Sequence, residues 1–229
     1  MTETMKLKAA DGFDCTAYVA HPTGKARAAV VVVQEIFGLN QHIRAVADGY
    51  AEQGYLAIAP AAFDRIRPGI ELGYEAPDIE QGRQLKAAAE GLPAPGVMAD
   101  IEAAIAYGGA STGKRAGLVG YCWGGLLVWR SACTLRGLGA AVAYYGGGMT
   151  GDAEAARQPA CPVMCHFGEH DHAIAIDGVR KFQLAQPKVQ VHVYAAGHGF
   201  NCDQRASYDA AAAALARERS LAFFASHLV

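Results

Sequence analysis

The chain has 229 residues, 52% of them hydrophobic, enough for one sizeable core and in keeping with a single domain over residues 1–229. Twenty lysines and arginines against 22 aspartates and glutamates leave a formal net charge of −2, which offers no electrostatic footprint for nucleic acid or an anionic membrane. The longest aliphatic run, Ala28 to Val33, is far too short to span a bilayer, and Met1 to Lys6 lacks the basic-then-apolar pattern of a signal peptide, so a cytoplasmic location is expected.

In chain order, Met5 to Ala9 and Phe13 to Ala20 read as two short strands around the turn signal Asp11-Gly12, an N-terminal antiparallel hairpin. Ala28 to Gln34 is a continuous β-branched run, a strand buried on both faces. Asn40 can cap a helix carrying Ile43, Val46, Ala47 and Tyr50, with Gly54 at its end, and Tyr55 to Ala59 is the next buried strand. From Ala61 to Pro95 four prolines interrupt the pattern, and only a short helix is expected, around Ile79 to Glu90.

A helix resumes at Asp100 to Tyr107, followed by strands at Ala116 to Gly120, Ala140 to Tyr145, Val163 to Phe167 and Val189 to Tyr194. Helices are expected at Gly125 to Arg136, around Asp177 to Leu184, and at the C-terminus, where Leu221, Phe224, Ala225 and Leu228 share one face. Strands alternating with helices predict a mostly parallel sheet covered on both faces.

Leu118 to Gly125 is the stretch on which the chemistry turns. An apolar strand runs into Gly120-Tyr121-Cys122-Trp123-Gly124-Gly125 and then into a helical pattern, the G-x-nucleophile-x-G form of a strained strand-to-helix turn that exposes one side chain, here Cys122. A helix N-terminus behind that thiol favours an anion there. A tight turn around a merely buried thiol is the bland alternative.

Chemistry in such a sheet gathers at the carboxyl ends of the strands. Those ends offer Glu35, Cys122, Asp171 in Gly168-Glu169-His170-Asp171, and His198 in Ala196-Gly197-His198-Gly199-Phe200. Nucleophile, acid, histidine is the chain order of an α/β-hydrolase triad.

On Gln34-Glu35-Ile36-Phe37-Gly38, the cysteine elbow, Tyr144-Tyr145-Gly146, Gly168 to Asp171 and Gly197 to Phe200, nearly the whole chain resembles the dienelactone hydrolase (carboxymethylenebutenolidase) family of the α/β-hydrolase fold. The resemblance implies cofactor-free hydrolysis of a lactone or ester, of the dienelactone-to-maleylacetate type, with a small-molecule substrate bearing a carboxylate. Members acting on dienelactone carry an arginine two residues after the phenylalanine of the histidine loop. Here that position is Cys202, with Arg205 three residues further on, and Arg83 resembles a second carboxylate-binding arginine.

The groups suggest their own roles. Cys122 attacks the acyl carbonyl, His198 handles the thiol proton and later activates water, and Asp171 fixes the imidazole tautomer. The amides of Trp123 and Ile36 are candidates for the oxyanion hole. Glu35 can hold the thiol proton, position substrate, or simply pair with an arginine. Trp123 and Tyr145 can line an aromatic pocket or serve only as packing.

No metal or other cofactor is expected, and the chain is expected to act as a monomer. Cys161, Cys165, His166, His170 and His172 invite a zinc reading, but a strand from Cys161 would separate the two sulfurs by roughly 13 Å. Cys133 lies about three helical turns from Cys122, too far to bridge, and reads as core filler. His192 reads as a hydrogen-bonded core residue, His21, His42 and His227 as surface positions, and His172 as a solvated loop residue. Two other classes stay open: a noncatalytic binding module on a hydrolase fold, and a redox-sensing thiol protein with Cys202 as the resolving partner of Cys122.

Overall fold

The computed structural model describes residues 1–228. Its core is one eight-stranded sheet: β1 (Thr2–Lys8), β2 (Asp14–Ala20), β3 (Ala29–Val33), β4 (Leu56–Pro60), β5 (Ala116–Tyr121), β6 (Leu138–Tyr144), β7 (Val163–Gly168) and β8 (Gln190–Tyr194). The order is β1-β2-β4-β3-β5-β6-β7-β8, with β1 antiparallel to β2, β2 antiparallel to β4, and every later pair parallel. The expected hairpin is therefore the sheet's antiparallel edge, with the amide of Phe13 bonded to Asp11 Oδ1 across its turn.

The helices are α1 (Gln41–Glu52), α2 (Ala76–Glu90), α3 (Val97–Thr112), α4 (Trp123–Thr134), α5 (Asp152–Ala155), α6 (Ile176–Ala185) and α7 (Ala210–His227). Asn40 caps α1 as expected, its side chain accepting from the Ile43 amide. On β5, a side chain at Gly117 would meet Phe224 and Leu228 of the α7 segment, while the neighbouring Ala116 lies beside Gly108 of α3. Successive strand residues face opposite ways, so α3 and α7 cover opposite faces of the sheet. α1 joins α7 on one face through Arg217 and Gly49 and through Tyr50 and Phe224.

Several elements differ from expectation. α2 begins three residues earlier than Ile79, because Pro77 sits in the first turn, where a missing amide proton costs nothing, and Asp78 accepts from the Glu75 amide. α4 starts at Trp123, two residues earlier, directly after Cys122. The short α5 was not foreseen. On α7 the buried face includes Phe223 and Phe224 rather than Ala225, which is exposed; Leu221 is half-buried.

Among the histidines, His42 is buried at 4% exposure, not on the surface, whereas His21 and His227 are partly exposed. The hydrogen-bonded core histidine is His166 and not its neighbour His192. His166 bonds Tyr194 Oη at 2.8 Å and Ser220 Oγ at 3.0 Å, tying β7 to β8 and α7, while half-buried His192 stacks on its ring.

The hairpin turn, the segment after β4 and α3 are joined by one cation. Arg65 bonds both oxygens of fully buried Asp100 at 2.8 Å and both oxygens of Asp11. Arg65→Met should leave Asp100 as a buried charge without its partner and destabilise the fold by about 3 to 5 kcal/mol. Urea denaturation of the two proteins measures it, and a loss below about 1 kcal/mol, the range of a surface pair, would contradict the reading.

Candidate active site

The elbow is built by contact between backbones. Cys122 has φ 55° and ψ −118°, a conformation that L side chains rarely adopt, and its amide bonds the carbonyl of Tyr144 at 3.0 Å. A Cβ at Gly120 would lie 2.4 Å from the Gly124 carbonyl oxygen, and one at Gly124 would lie 2.4 Å from that of Gln34. Bare backbone at both positions lets the end of β3 and the start of α4 close on the nucleophile from two sides. Trp123, as first residue of α4, has an amide with no intrahelical acceptor.

His198 and Asp171 meet this thiol from two other strand ends. His198 Nδ1 lies 2.7 Å from Asp171 Oδ2, and the Cys122 thiol adjoins the same imidazole. Asp171 is buried, and its other oxygen accepts from the amides of Ala173 (2.8 Å) and Ile174 (3.1 Å), which fixes the carboxylate's orientation. The competing carboxylate, Glu169, is exposed. Burial pushes the His198 imidazole toward neutrality, but its bonds to Asp171 and Cys122 and the charges of both raise it from 6.5 to about 10.

A cavity of about 690 Å³ lies over the thiol. Ile36 and Trp123, the two residues proposed to supply oxyanion amides, both line it, as do Cys122 and His198. Arg83 and Arg205 also line it, so the two arginines singled out in the sequence come together here although 122 residues separate them. Arg205 lies over the adjoining Phe37 and Tyr74 rings, its Nη1 3.3 Å from Glu35 Oε1. Glu35 itself is 1% exposed, and its second oxygen has no hydrogen-bond partner among the described residues. Arg83 is exposed and forms no ion pair among the described residues.

Two expectations need correction. Tyr145 does not line the cavity: it is fully buried, edge-on beneath the His198 ring at 5.1 Å and against Phe200, so it contacts the histidine and not the cavity. His172 is exposed in the turn after Asp171, as expected, and with His170 it lines the cavity. Cys202 is fully buried rather than presented to the site.

Lys86 was missed. It lines the cavity one turn along α2 from Arg83, and the spacing of Arg83, Lys86 and Glu90 at i, i+3 and i+7 on the expected helix was the signal that could have found it. Glu90 completes this stripe by accepting from Trp123 Nε1 at 3.2 Å, while Phe63 stacks on the indole.

The raised His198 value carries a sign. A cation stabilised on folding contributes stability that is fully present below the ordinary value of 6.5 and is lost as pH climbs to about 10. The stability difference between wild type and His198→Gln, from urea denaturation, should therefore shrink steadily between those limits. A difference that is flat above pH 7 would mean the imidazolium is not held.

Comparison with known proteins agrees with this geometry. The Dienelactone hydrolase family model matches residues 15–228. The carboxymethylenebutenolidase of Pseudomonas putida is 34% identical over 98% of this chain and 97% of its own length, and a Synechocystis sp. protein provisionally given the same name is 36% identical over 92% and 91%. Among solved structures, a Klebsiella pneumoniae protein provisionally named a dienelactone hydrolase aligns over 98% of both chains with TM-score 0.84 and 30% identity. A dienelactone hydrolase-like promiscuous phosphotriesterase from metagenomic libraries shares the fold at TM-score 0.79 and 21% identity. A cysteine elbow, a histidine and aspartate from two further strand ends, and kinship over almost the whole length place this chain in the dienelactone hydrolase family.

Proposed function

We propose that the protein hydrolyses small lactones or esters bearing a carboxylate, with Cys122 as nucleophile. The observation that carries this reading is the chain of contacts Cys122, His198, Asp171 on the floor of a cavity whose fully charged lining side chains, Arg83, Lys86 and Arg205, are all cationic. The kinship to carboxymethylenebutenolidases supports it.

In this reading His198 holds a proton as imidazolium, and the charge it balances is the Cys122 thiolate. Cys122 Sγ attacks the acyl carbon, the carbonyl oxygen takes the negative charge, and the amides of Trp123 and Ile36 receive it. The tetrahedral intermediate collapses, His198 protonates the leaving oxygen, and an acyl-cysteine remains. His198, now neutral, takes a proton from water, whose oxygen releases the acyl group and regenerates the thiolate. Asp171, clamped by two backbone amides, keeps Nδ1 protonated throughout.

Arg205 binds the substrate carboxylate. Glu35 holds the guanidinium in place through one amine nitrogen, leaving the other donors for the ligand. Arg205 thus takes, from three residues further along, the place left by the cysteine at position 202. Arg83 and Lys86 add positive potential at the exposed side of the cavity. We place the reaction in a reducing cytoplasm, which suits six free thiols, and assign it to a monomer. Among the described residues no helix is long and apolar enough to cross a membrane.

Two experiments test the assignment. Incubation with a p-nitrophenyl ester should give a burst and a mass adduct on Cys122, and Cys122→Ala should lose essentially all turnover. Full activity in that variant would remove Cys122 from the mechanism. Matched lactones with and without a carboxylate should then be compared by kcat/KM in wild type, Arg83→Ala and Arg205→Ala. Wild type should prefer the acidic lactone, and losing Arg205 should cut that preference roughly tenfold or more, the size of a charge-assisted pair. A wild-type preference for the neutral lactone leaves only a general thiol esterase.

A further inference from the structure

Behind the pair of Glu35 and Arg205, three buried side chains converge in a way the hydrolytic steps do not use. One oxygen of Glu35, a ring nitrogen of His42 and the sulfur of Cys202 all lie within 4.8 Å of one another. The residues are 1%, 4% and 0% exposed. They come from the loop after β3, the first turn of α1 and the loop after His198.

The hydrogen-bonding of this cluster is incomplete in a specific sense. His42 Nδ1 faces Asp203 Oδ1 at 3.6 Å, and a neutral ring with its proton on that side presents Nε2 as a lone pair. That Nε2 has no partner among the described residues. Glu35 Oε1 is engaged by Arg205, and Oε2 has no partner either. Two buried acceptors beside a thiol lack anything positive between them.

We propose that Glu35 Oε2, His42 Nε2 and Cys202 Sγ form a binding site for a thiophilic divalent cation of the Zn²⁺ class. Carboxylate, imidazole and thiolate together suit a borderline-soft ion, whereas Mg²⁺ and Ca²⁺ need oxygen ligands throughout. Bonds of about 2.0 to 2.3 Å to a shared ion would draw the three atoms to within about 4 Å of each other, a small side-chain adjustment from their present spread. Asp203 on the far nitrogen of His42 is the outer carboxylate that commonly orients a ligating imidazole. On binding, the Cys202 S–H bond breaks, the sulfur–metal bond forms and the proton leaves to solvent, with no change of oxidation state.

The test uses the full chain carrying Cys122→Ser, because Cys122 and His198 are a thiol and imidazole pair that could hold such an ion themselves. After chelator treatment the protein is titrated with Co²⁺ as the spectroscopic probe. One ion per chain should bind with a sulfur-to-cobalt charge-transfer band, and Zn²⁺ should displace it. Adding Cys202→Ala should abolish the band while circular dichroism stays unchanged. Asp203→Asn, on a side chain 70% exposed, should leave the fold alone and weaken Co²⁺ binding about 10- to 100-fold. No uptake at millimolar Co²⁺, or a band that survives Cys202→Ala, overturns the site. Should Cys202→Ala fail to fold, unchanged affinity in Asp203→Asn overturns it instead.

Discussion

Cys122 can occupy its position only because the backbones of three neighbouring segments meet around it with no side chain between them. The end of β3 approaches Gly124, the start of α4 approaches Gly120, and a Cβ at Gly125 would come within 2.8 Å of both Gly146 Cα and the Tyr144 carbonyl oxygen beyond β6. The sheet order explains why these partners arrive: β3 and β6 flank β5 in parallel, so all three chains end at the same edge. The strained φ of Cys122 is held by these contacts and by its bond to Tyr144. Tyr145, with φ 37°, is a second strained residue on the same shelf, its amide tied to His166, and its ring supports His198.

On that shelf the charges are arranged in pairs away from bulk water. Asp171 and His198 form one, Glu35 and Arg205 another, and each anion is more deeply buried than its cation. A low-dielectric setting makes such pairs strong, and makes any unmatched acceptor costly. The free oxygen of Glu35 and the free nitrogen of His42 are such acceptors among the described residues, and both lie beside Cys202. Arg205 keeps a cation at the cavity, with this cluster of different chemistry behind it.

α2 links this interior to the cavity's outer wall. A Cβ at Gly82 would fall 2.4 Å from the Ile36 carbonyl oxygen, so the helix lies directly on the loop that carries one oxyanion candidate. Through Glu90 it also holds the indole of Trp123, the other. Arg83 and Lys86 project from the same helix to the cavity. In the proposed reading, substrate selection and the oxyanion geometry therefore share one element, and changes on α2 should rarely affect only one of them.

Much of this was legible in one dimension, for physical reasons. Alternation of apolar strands with helical patterns specifies a parallel sheet, glycine spacing around Cys122 specifies the elbow, and strand ends are where reactive groups must gather, so Cys122, Asp171, His198 and Glu35 could be read in order. Helix starts were less legible. Pro77 looks like a breaker until its place in the first turn is known, and Lys86 was passed over because nothing local shows that its face of α2 borders a cavity. Polarity misled at His42, which looks solvent-facing on α1 but is covered by the distant 202–203 segment. Tyr145 beside an elbow could face either way, and only the strained turn after β6 sends it beneath the histidine. Local patterns thus determined the fold class and the candidate residues at the strand ends, because those depend on periodicity and on turn chemistry within a few residues. Which arginine meets Glu35, and which side chains share the space behind it, was decided by the tertiary structure alone, because those neighbours lie far apart along the chain and meet only when the sheet closes.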